Sequence, residues 1–264
     1  MQGKIIHSDP HLEKVKHFHD QDAQHYTEMR YHSNSCEGIA YITRRELVLS
    51  LVKSNAMRVL DIGCGPGILT ADLLKMGKEV YSTDLSSEMI KQAKQKANND
   101  FIEKKAYFSV SDASHLPLAA DQMDIALCIG VICYIRDYKS VLSEIRRVLK
   151  SNGEAIVQIN NTTWPGLYEK LVPMYHWIKS KVTGKKYDGI DFDFNYFDFR
   201  TFCKDVKKTG FRIEDLKYFD FRFPFIDVLF PKFSVKIGKA MYKNRHLSFM
   251  KYFAFGVLLK MTRI

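Results

Sequence analysis

One short stretch in the first third of the chain has the residues to bind a ligand through its backbone. Residues 59–67 read VLDIGCGPG, an apolar run followed by glycines at 63, 65 and 67. Glycine permits a tight turn and lets a ligand approach the backbone closely. The stretch lies between a predicted strand and a predicted helix, and a helix N-terminus favours an anionic group. A dinucleotide site would have a third glycine where this chain has Ile68, so the spacing indicates a different ligand.

A carboxylate follows the next predicted strand. Asp84 ends the apolar run that begins at Glu79. An acidic side chain at this position of a βαβ unit accepts hydrogen bonds from the hydroxyl groups of a ribose. Together, the glycine stretch and Asp84 predict a nucleoside-containing ligand at the carboxyl ends of two neighbouring strands.

The stretch 59–67 closely resembles motif I of the class I S-adenosylmethionine-dependent methyltransferases, whose glycine loop passes under the amino-acid part of the cofactor. Residues 84–90 (DLSSEMI) are similar to the family's DxSxxMI run, and residues 144–153 are similar to its RVLKPGG run, with Ser151 and Asn152 replacing proline and glycine. The resemblance covers residues 56–160 well and 198–220 loosely. It implies S-adenosyl-L-methionine as the cofactor and direct transfer of its methyl group.

The resemblance also implies which residues contact the cofactor. Leu85 and Met89 would pack on the adenine, although a methionine at this position is as often a core residue. Asp112 would accept from the adenine amino group, with a turn or cap residue as the alternative. The cofactor-binding residues so predicted are Asp61, Gly63, Cys64, Gly65, Gly67, Asp84, Leu85, Met89, Asp112, Ala113 and Ile129.

The elements that must position these residues alternate between strand and helix, which is typical of a parallel sheet. We predict an α/β, Rossmann-like fold with a seven-stranded, mostly parallel sheet and helices on both faces. Residues 1–50 are predicted to form a helical lid segment, and residues 51–264 the catalytic domain, with insertions at about 161–197 and 223–249. The predicted strands are 58–62, 79–83, 106–110, 123–129, 154–159, 211–218 and 252–259, and the predicted helices are 69–76, 86–97, 139–149 and 200–209.

Composition limits the possible partners and the setting. The 264 residues carry a net charge of +10, and no acidic residue follows Asp227. Lysines at 232, 236, 239 and 243 recur at helical spacing, which predicts peripheral contact with an anionic membrane, with a solvated surface helix as the alternative. The cysteines are scattered without a CxxC pair, and the sequence shows no signal-peptide pattern. Both observations favour a cytoplasmic protein, and the lysine pattern adds association with a membrane.

Catalytic groups are less well specified by the sequence. If the acceptor is a hydroxyl, a general base helps, and the candidates are His25, His32 and His176, with Tyr134 positioning the acceptor. Arg30 or Arg44 could hold the cofactor carboxylate. We expect no metal, because no aspartate follows the fourth strand as magnesium-dependent relatives require.

The acceptor is a small molecule or a lipid on this interpretation, methylated on oxygen, nitrogen or carbon. Aromatic residues between Trp164 and Phe199 favour an apolar or ring-bearing acceptor. Two alternatives stay open. One is an RNA methyltransferase that uses the basic C-terminal part. No RNA-binding signature is visible in the sequence, so nucleic acid is the less favoured partner. The other is a partner protein that binds S-adenosylmethionine without catalysis. The oligomeric state is not predicted.

Overall fold

The protein is described here from a computed structural model. It describes residues 9–31, 35–99, 105–160, 198–221, 229–246 and 248–264, with isolated positions at 174, 177, 178, 180–182 and 226. The helices are α1 (Pro10–Asp22), α2 (Tyr26–Arg30), α3 (Cys36–Leu51), α4 (Ile68–Lys75), α5 (Ser87–Asn99), α6 (Tyr138–Val148), α7 (Phe199–Lys208) and α8 (Pro231–Lys243). The strands are β1 (Arg58–Ile62), β2 (Glu79–Asp84), β3 (Ala106–Val110), β4 (Met123–Cys128), β5 (Leu149–Asn160), β6 (Phe211–Phe219) and β7 (Gly256–Arg263).

The seven strands form one sheet in the order β3-β2-β1-β4-β5-β7-β6. Strands β1 to β5 are parallel, and β7 runs antiparallel between β5 and β6. Because the chain turns from β1 towards β2 on one side and later returns to β4 on the other, the strand order reverses at β1. In open α/β sheets the ligand binds outside the carboxyl ends of the strands at such a point.

Helices cover both faces of the sheet and bury its apolar side chains. One core cluster includes Leu142 and Ile145 of α6 and Phe202 of α7. The other includes Val48 of α3 and Leu73 of α4. Strand β4 is central and almost wholly buried, as its continuous apolar sequence predicts. The predicted fold class is confirmed.

Most predicted boundaries agree with the structure to within one or two residues. Ser86 is the N-cap of α5, since its Oγ accepts a hydrogen bond from the Met89 amide at 3.1 Å. The last strand begins four residues later than predicted, because Ser248–Tyr252 forms a 3₁₀ helix. Strand β5 begins earlier than predicted, at Leu149, directly after α6.

The N-terminal and inserted segments are described only in part. Helices α1, α2 and α3 lie within residues 1–50, which agrees with the helical prediction for that segment. The predicted insertion at 161–197 lies almost entirely outside the described residues. The insertion at 223–249 contains α8. Among the helices that the structure describes, none has the length and apolar character needed to cross a bilayer.

Gly256 gives a test of the strand pairing next to the site. It pairs with Phe219 across β6 and β7, and a Cβ built there would lie 2.4 Å from the Phe219 ring. Phe219 is only 2% exposed, so the ring has little room to move. We expect Gly256→Ala to lower the free energy of unfolding by about 1–3 kcal/mol, measured by urea denaturation. The double variant with Phe219→Leu should lose less than the sum of the two single losses, whereas simple additivity would contradict the predicted steric conflict.

Candidate functional site

A cavity of about 390 Å³ opens at the carboxyl ends of the central strands. This volume is within the roughly 300–1,000 Å³ range of small-molecule sites. Eight of the predicted cofactor residues line it: Gly63, Gly65, Asp84, Leu85, Met89, Asp112, Ala113 and Ile129. Sequence motifs that are up to 66 positions apart therefore meet in one place, as the sheet topology requires.

The two glycines of motif I that line the cavity have different roles. Both have positive φ, +67° at Gly63 and +53° at Gly65. A Cβ at Gly63 would lie 2.1 Å from Val131 Cγ2, so this glycine lets the loop pack closely against the segment after β4. No atom lies within 4 Å of the position that a Cβ would take at Gly65. The second glycine therefore leaves open space in which a ligand can approach the backbone.

Asp84 links the glycine loop to the start of α5. Its Oδ2 accepts a hydrogen bond from the Gly65 amide at 2.8 Å, and its Oδ1 accepts one from the Ser86 amide at 2.9 Å. Burial raises the pKa of Asp84 to about 6, although the backbone hydrogen bonds oppose that shift. The carboxylate is ionised at neutral pH and keeps lone pairs for further donors, so it can accept from ribose hydroxyls.

Next to Asp84 lie groups suited to a nucleobase. The Met89 side chain is 1% exposed and lines the cavity, so it belongs to the core and to the site at once. Asp112 makes a turn by accepting from the Ser114 amide at 2.9 Å, and it also lines the cavity. Ser111 Oγ is buried without a hydrogen-bond partner among the described residues. An unsatisfied buried hydroxyl in the cavity that Gly65 also lines fits a polar ligand such as an adenosine moiety.

Three of the predicted cofactor residues, all in motif I, do not line the cavity and contact other parts of the protein. Asp61 is buried and accepts from Thr70 Oγ1 at 2.7 Å, and burial raises its pKa to about 6. Cys64 is buried in a small apolar cluster. Gly67 is in the left-handed conformation before α4, and a Cβ there would lie 2.9 Å from the Ala93 backbone. The structure thus gives these residues packing and capping contacts.

The other half of the cavity is aromatic and is built largely by α1, α2 and α3. We define this aromatic half by His19, Tyr26, Tyr41, Arg44 and Tyr134, all of which line the cavity. The Arg44 guanidinium lies over the Tyr41 ring at 4.3 Å from its centroid. The His19 ring meets the Tyr134 ring edge-on, with centroids 5.2 Å apart. Burial lowers the pKa of His19 to about 4, so this imidazole is neutral at physiological pH.

The predicted catalytic residues have different outcomes. Tyr134 lines the cavity, and burial raises its pKa well above the usual value. His25 is exposed at the N-cap of α2 and is not part of the cavity wall. His32 and His176 lie outside the described residues.

Sequence reasoning missed His19, although a signal for it exists. Along α1, His11, Val15 and Phe18 recur at spacings of four and three residues, and His19 is adjacent to that face. Val15, Phe18 and His19 all line the cavity. A face that combines apolar and imidazole side chains indicates a helix packed over a site, and it would have favoured His19 over the exposed His25.

Comparison with known proteins agrees with this geometry. Residues 60–157 match the family described as "Methyltransferase domain". The malonyl-acyl-carrier-protein O-methyltransferase of Hamiltonella defensa is 38% identical over 95 residues, which are 36% of this chain and 34% of that protein. Residues 60–157 are therefore a domain of the class I, S-adenosylmethionine-dependent methyltransferase type. S-adenosylmethionine is accordingly its cofactor, and the glycine-loop half of the cavity fits the adenosine.

Other similarities to this methyltransferase extend over more of the chain. An uncharacterized protein of Methanocaldococcus jannaschii is 29% identical over 216 residues, 77% of this chain and 79% of its own length. The magnesium protoporphyrin IX methyltransferase of Synechocystis, solved with bound SAH, has a TM-score of 0.65 at 16% identity, covering 96% of this chain and 100% of that one. At that identity the likeness is one of fold. The match to the Hamiltonella protein covers about a third of that relative, so it supports only the assignment of the domain family.

The raised pKa of Asp84 predicts a pH dependence of cofactor binding. If ribose hydroxyls donate to the ionised Asp84 carboxylate, affinity for S-adenosylhomocysteine should be constant near neutral pH. It should fall by up to about tenfold per pH unit below about pH 6, as Asp84 takes up a proton in the free protein. Calorimetric titration over this range measures the effect. Asp84→Asn should bind weakly at neutral pH and lose most of the pH dependence; an unchanged profile in this variant would assign the dependence to another group.

Proposed function

We propose that this protein transfers the methyl group of S-adenosylmethionine to a small-molecule or lipid acceptor bound in the aromatic half of the cavity. The observation that carries the proposal is the continuity of the two halves, one polar and fitted to a nucleoside, the other lined by rings and open to an acceptor. The cofactor supplies an electrophilic methyl group on a sulfonium centre. The chain's residues need to bind, orient and exclude water, because orientation and desolvation provide much of the rate in such reactions.

Of the two arginines that could hold the cofactor carboxylate, Arg44 is the better placed. Arg30 already forms an ion pair with Asp22 at 2.5 Å. Arg44 donates to Gln158 Oε1 at 3.0 Å. No described carboxylate lies within 4 Å of the Arg44 guanidinium. An enclosed guanidinium without a counter-ion is costly, and an α-carboxylate would relieve that cost through a charge-assisted hydrogen bond.

The position of Arg44 supports the same assignment. Its Nη1 lies 3.2 Å from the place that a Cβ would occupy at Gly130. Gly130 comes directly after Ile129 at the end of β4, and Val131 packs against Gly63 of the glycine loop. Arg44 thus lies near the loop under which the amino-acid part of the cofactor passes in this family. Burial opposes its ionisation, yet Tyr41 and Tyr31 keep its pKa above the usual value.

In the aromatic half, His19 is the described group best suited to take a proton from a hydroxyl acceptor. It is neutral at physiological pH because burial holds its pKa at about 4, and a neutral imidazole nitrogen can accept a hydrogen bond. Tyr26 and Tyr134 keep their hydroxyl protons, since burial raises the pKa of each well above its usual value. They can orient the acceptor as hydrogen-bond donors.

Helix α1 acts as a lid in this proposal, in keeping with the predicted lid role of residues 1–50. Leu12, Val15 and Phe18 form part of the cavity wall. At one end of the helix, His11 Nε2 lies 2.8 Å from the Tyr134 carbonyl oxygen. At the other end, Ser86 Oγ donates to Asp20 Oδ1 at 2.5 Å. Helix α1 is thus held by polar contacts at both ends, and Val15 is its only buried apolar side chain. These features indicate an element of low local stability that can open and close.

The assignment of Arg44 can be tested with two ligands that differ only in the amino-acid part. S-adenosylhomocysteine has the α-carboxylate and 5′-methylthioadenosine does not. We expect Arg44→Ala to weaken binding of the first by about 10- to 100-fold and to leave binding of the second almost unchanged, measured by calorimetry. Arg30→Ala is the matched control and should preserve the preference between the ligands. Equal losses for both ligands in Arg44→Ala would disprove the carboxylate role.

Methyl transfer itself is tested with S-adenosylmethionine that carries a radiolabelled methyl group. Incubation with a cell extract, followed by partition into lipid, aqueous small-molecule and RNA fractions, should label the lipid or small-molecule fraction. Asp84→Asn should abolish the label. Label confined to RNA would favour an RNA methyltransferase. Cofactor binding without label in any fraction would favour a non-catalytic binding protein.

A further inference from the structure

We propose that the outward face of α8 docks on an anionic lipid surface. Four lysines form this face, which we call the basic stripe: Lys232, Lys236, Lys239 and Lys243. All four are exposed. Their spacings of four, three and four residues place them on one side of the helix.

The opposite side of α8 is fixed to the protein. Ser234 and Gly238 are the buried residues of the helix. The Ser234 hydroxyl lies 3.0 Å from Cys36 Sγ of α3, and a Cβ at Gly238 would lie 3.6 Å from the same sulfur. At 100° per residue, the centre of the basic stripe lies about 130–170° around the helix from these two residues. The lysines therefore face solvent because α8 is packed against α3, and the helix is held in one orientation.

Among the described residues, the basic stripe has no acidic neighbour within ion-pair distance. No aspartate or glutamate occurs in the sequence after position 227. None of the four lysines lies within 4 Å of a carboxylate among the described residues. Like charges three and four residues apart on a helix repel one another. An anionic surface outside the protein would remove that repulsion and add favourable attraction, worth roughly fivefold in binding per lysine near a charged membrane.

Exposed apolar side chains at the beginning of α8 favour a lipid surface over another polyanion. Leu229, Phe230 and Phe233 are 53%, 62% and 57% exposed. Apolar residues beside a lysine-rich face are typical of a helix that inserts shallowly at the boundary between head groups and acyl chains. A nucleic acid would also attract lysines, but it gives an exposed leucine no apolar environment. The combination of charge and apolar exposure fits an anionic bilayer.

Docking through α8 would place the cavity close to the membrane. Helix α3 contacts α8 through Cys36 and lines the cavity through Ala40, Tyr41 and Arg44. Helix α3 thus joins the docking helix directly to the cavity wall. This arrangement suits an acceptor drawn from the bilayer, and that last point alone rests on the proposed function. Binding to lipid can be measured without any cofactor or acceptor, so its failure is distinct from failure of methyl transfer.

Co-sedimentation of the full chain with vesicles tests the inference. Vesicles of phosphatidylcholine alone are compared with vesicles that contain phosphatidylglycerol, at low salt and at about 1 M salt. We expect binding only to the anionic vesicles, and loss of binding at high salt. No binding to anionic vesicles, or equal binding to both kinds, would overturn the proposal.

Two sets of variants separate the basic stripe from net charge. Lys236→Gln, Lys239→Gln and Lys243→Gln together should weaken binding to anionic vesicles on the order of 100-fold. The matched control changes Lys204, Lys207 and Lys208 of α7, which are also exposed, to glutamine, and it should retain most of the binding. Equal loss in both sets would overturn the assignment to α8. Phe230→Ser with Phe233→Ser should weaken binding even at low salt.

Folding and competition complete the test. Each variant should keep the thermal unfolding midpoint and the S-adenosylhomocysteine affinity of the wild-type protein, since none of these side chains lines the described cavity. RNA is added as a competitor for the vesicles. If RNA displaces the protein from vesicles and its binding is lost in the basic-stripe variant, the surface binds nucleic acid and the lipid proposal is wrong.

Discussion

The placement of one carboxylate, Asp84, between two backbone amides determines how the ligand-binding half of this protein is built. Asp84 accepts from Gly65 on the loop after β1 and from Ser86 at the start of α5. These hydrogen bonds hold together two loops that come from separate βαβ units. Burial between these loops removes the carboxylate from water and raises its pKa, although the two hydrogen bonds oppose that shift. The burial that shapes this part of the cavity therefore also makes the protonation of Asp84 sensitive to a ligand that binds there.

Around Asp84, the sheet and the N-terminal helices contribute different groups to the cavity. The sheet supplies backbone geometry and polar groups at its carboxyl edge, where its strand order reverses. Helices α1, α2 and α3 supply rings, a neutral imidazole and a guanidinium. The polar half is common to a family defined by its cofactor. Of the five residues that define the aromatic half, all but Tyr134 lie outside the family match at 60–157, so specificity for the acceptor is expected to depend mainly on the N-terminal helices.

The sequence predicted the central sheet well because strands buried on both faces and glycine turns leave local signals. The runs at β1 and β3 were predicted to the residue, and the cofactor residues after β2, β3 and β4 meet in the cavity. Within motif I, Asp61 accepts a hydrogen bond from Thr70 in the core and does not line the cavity, so its predicted contact with the cofactor stays a prediction. A linear motif cannot distinguish a residue that touches the ligand from one that supports the loop.

The acceptor side was harder to predict because long-range packing decides it. Choosing His19 over His25 needs the orientation of α1 over the sheet, which depends on contacts such as that between Asp20 and Ser86. Likewise, only the three-dimensional structure shows that Arg30 is paired with Asp22, and this pairing distinguishes Arg30 from Arg44.

The position of helix α3 would affect how the protein encounters an acceptor in a bilayer. Ala40, Tyr41 and Arg44 of this helix line the cavity, and Cys36 of the same helix is in contact with α8. Since a helix–helix packing contact, with no flexible linker, connects the two surfaces, the protein would meet a bilayer with its cavity at one fixed height and tilt. Encounters with an acceptor would then become lateral diffusion in two dimensions, and the orientation that chemistry requires would already be set on arrival.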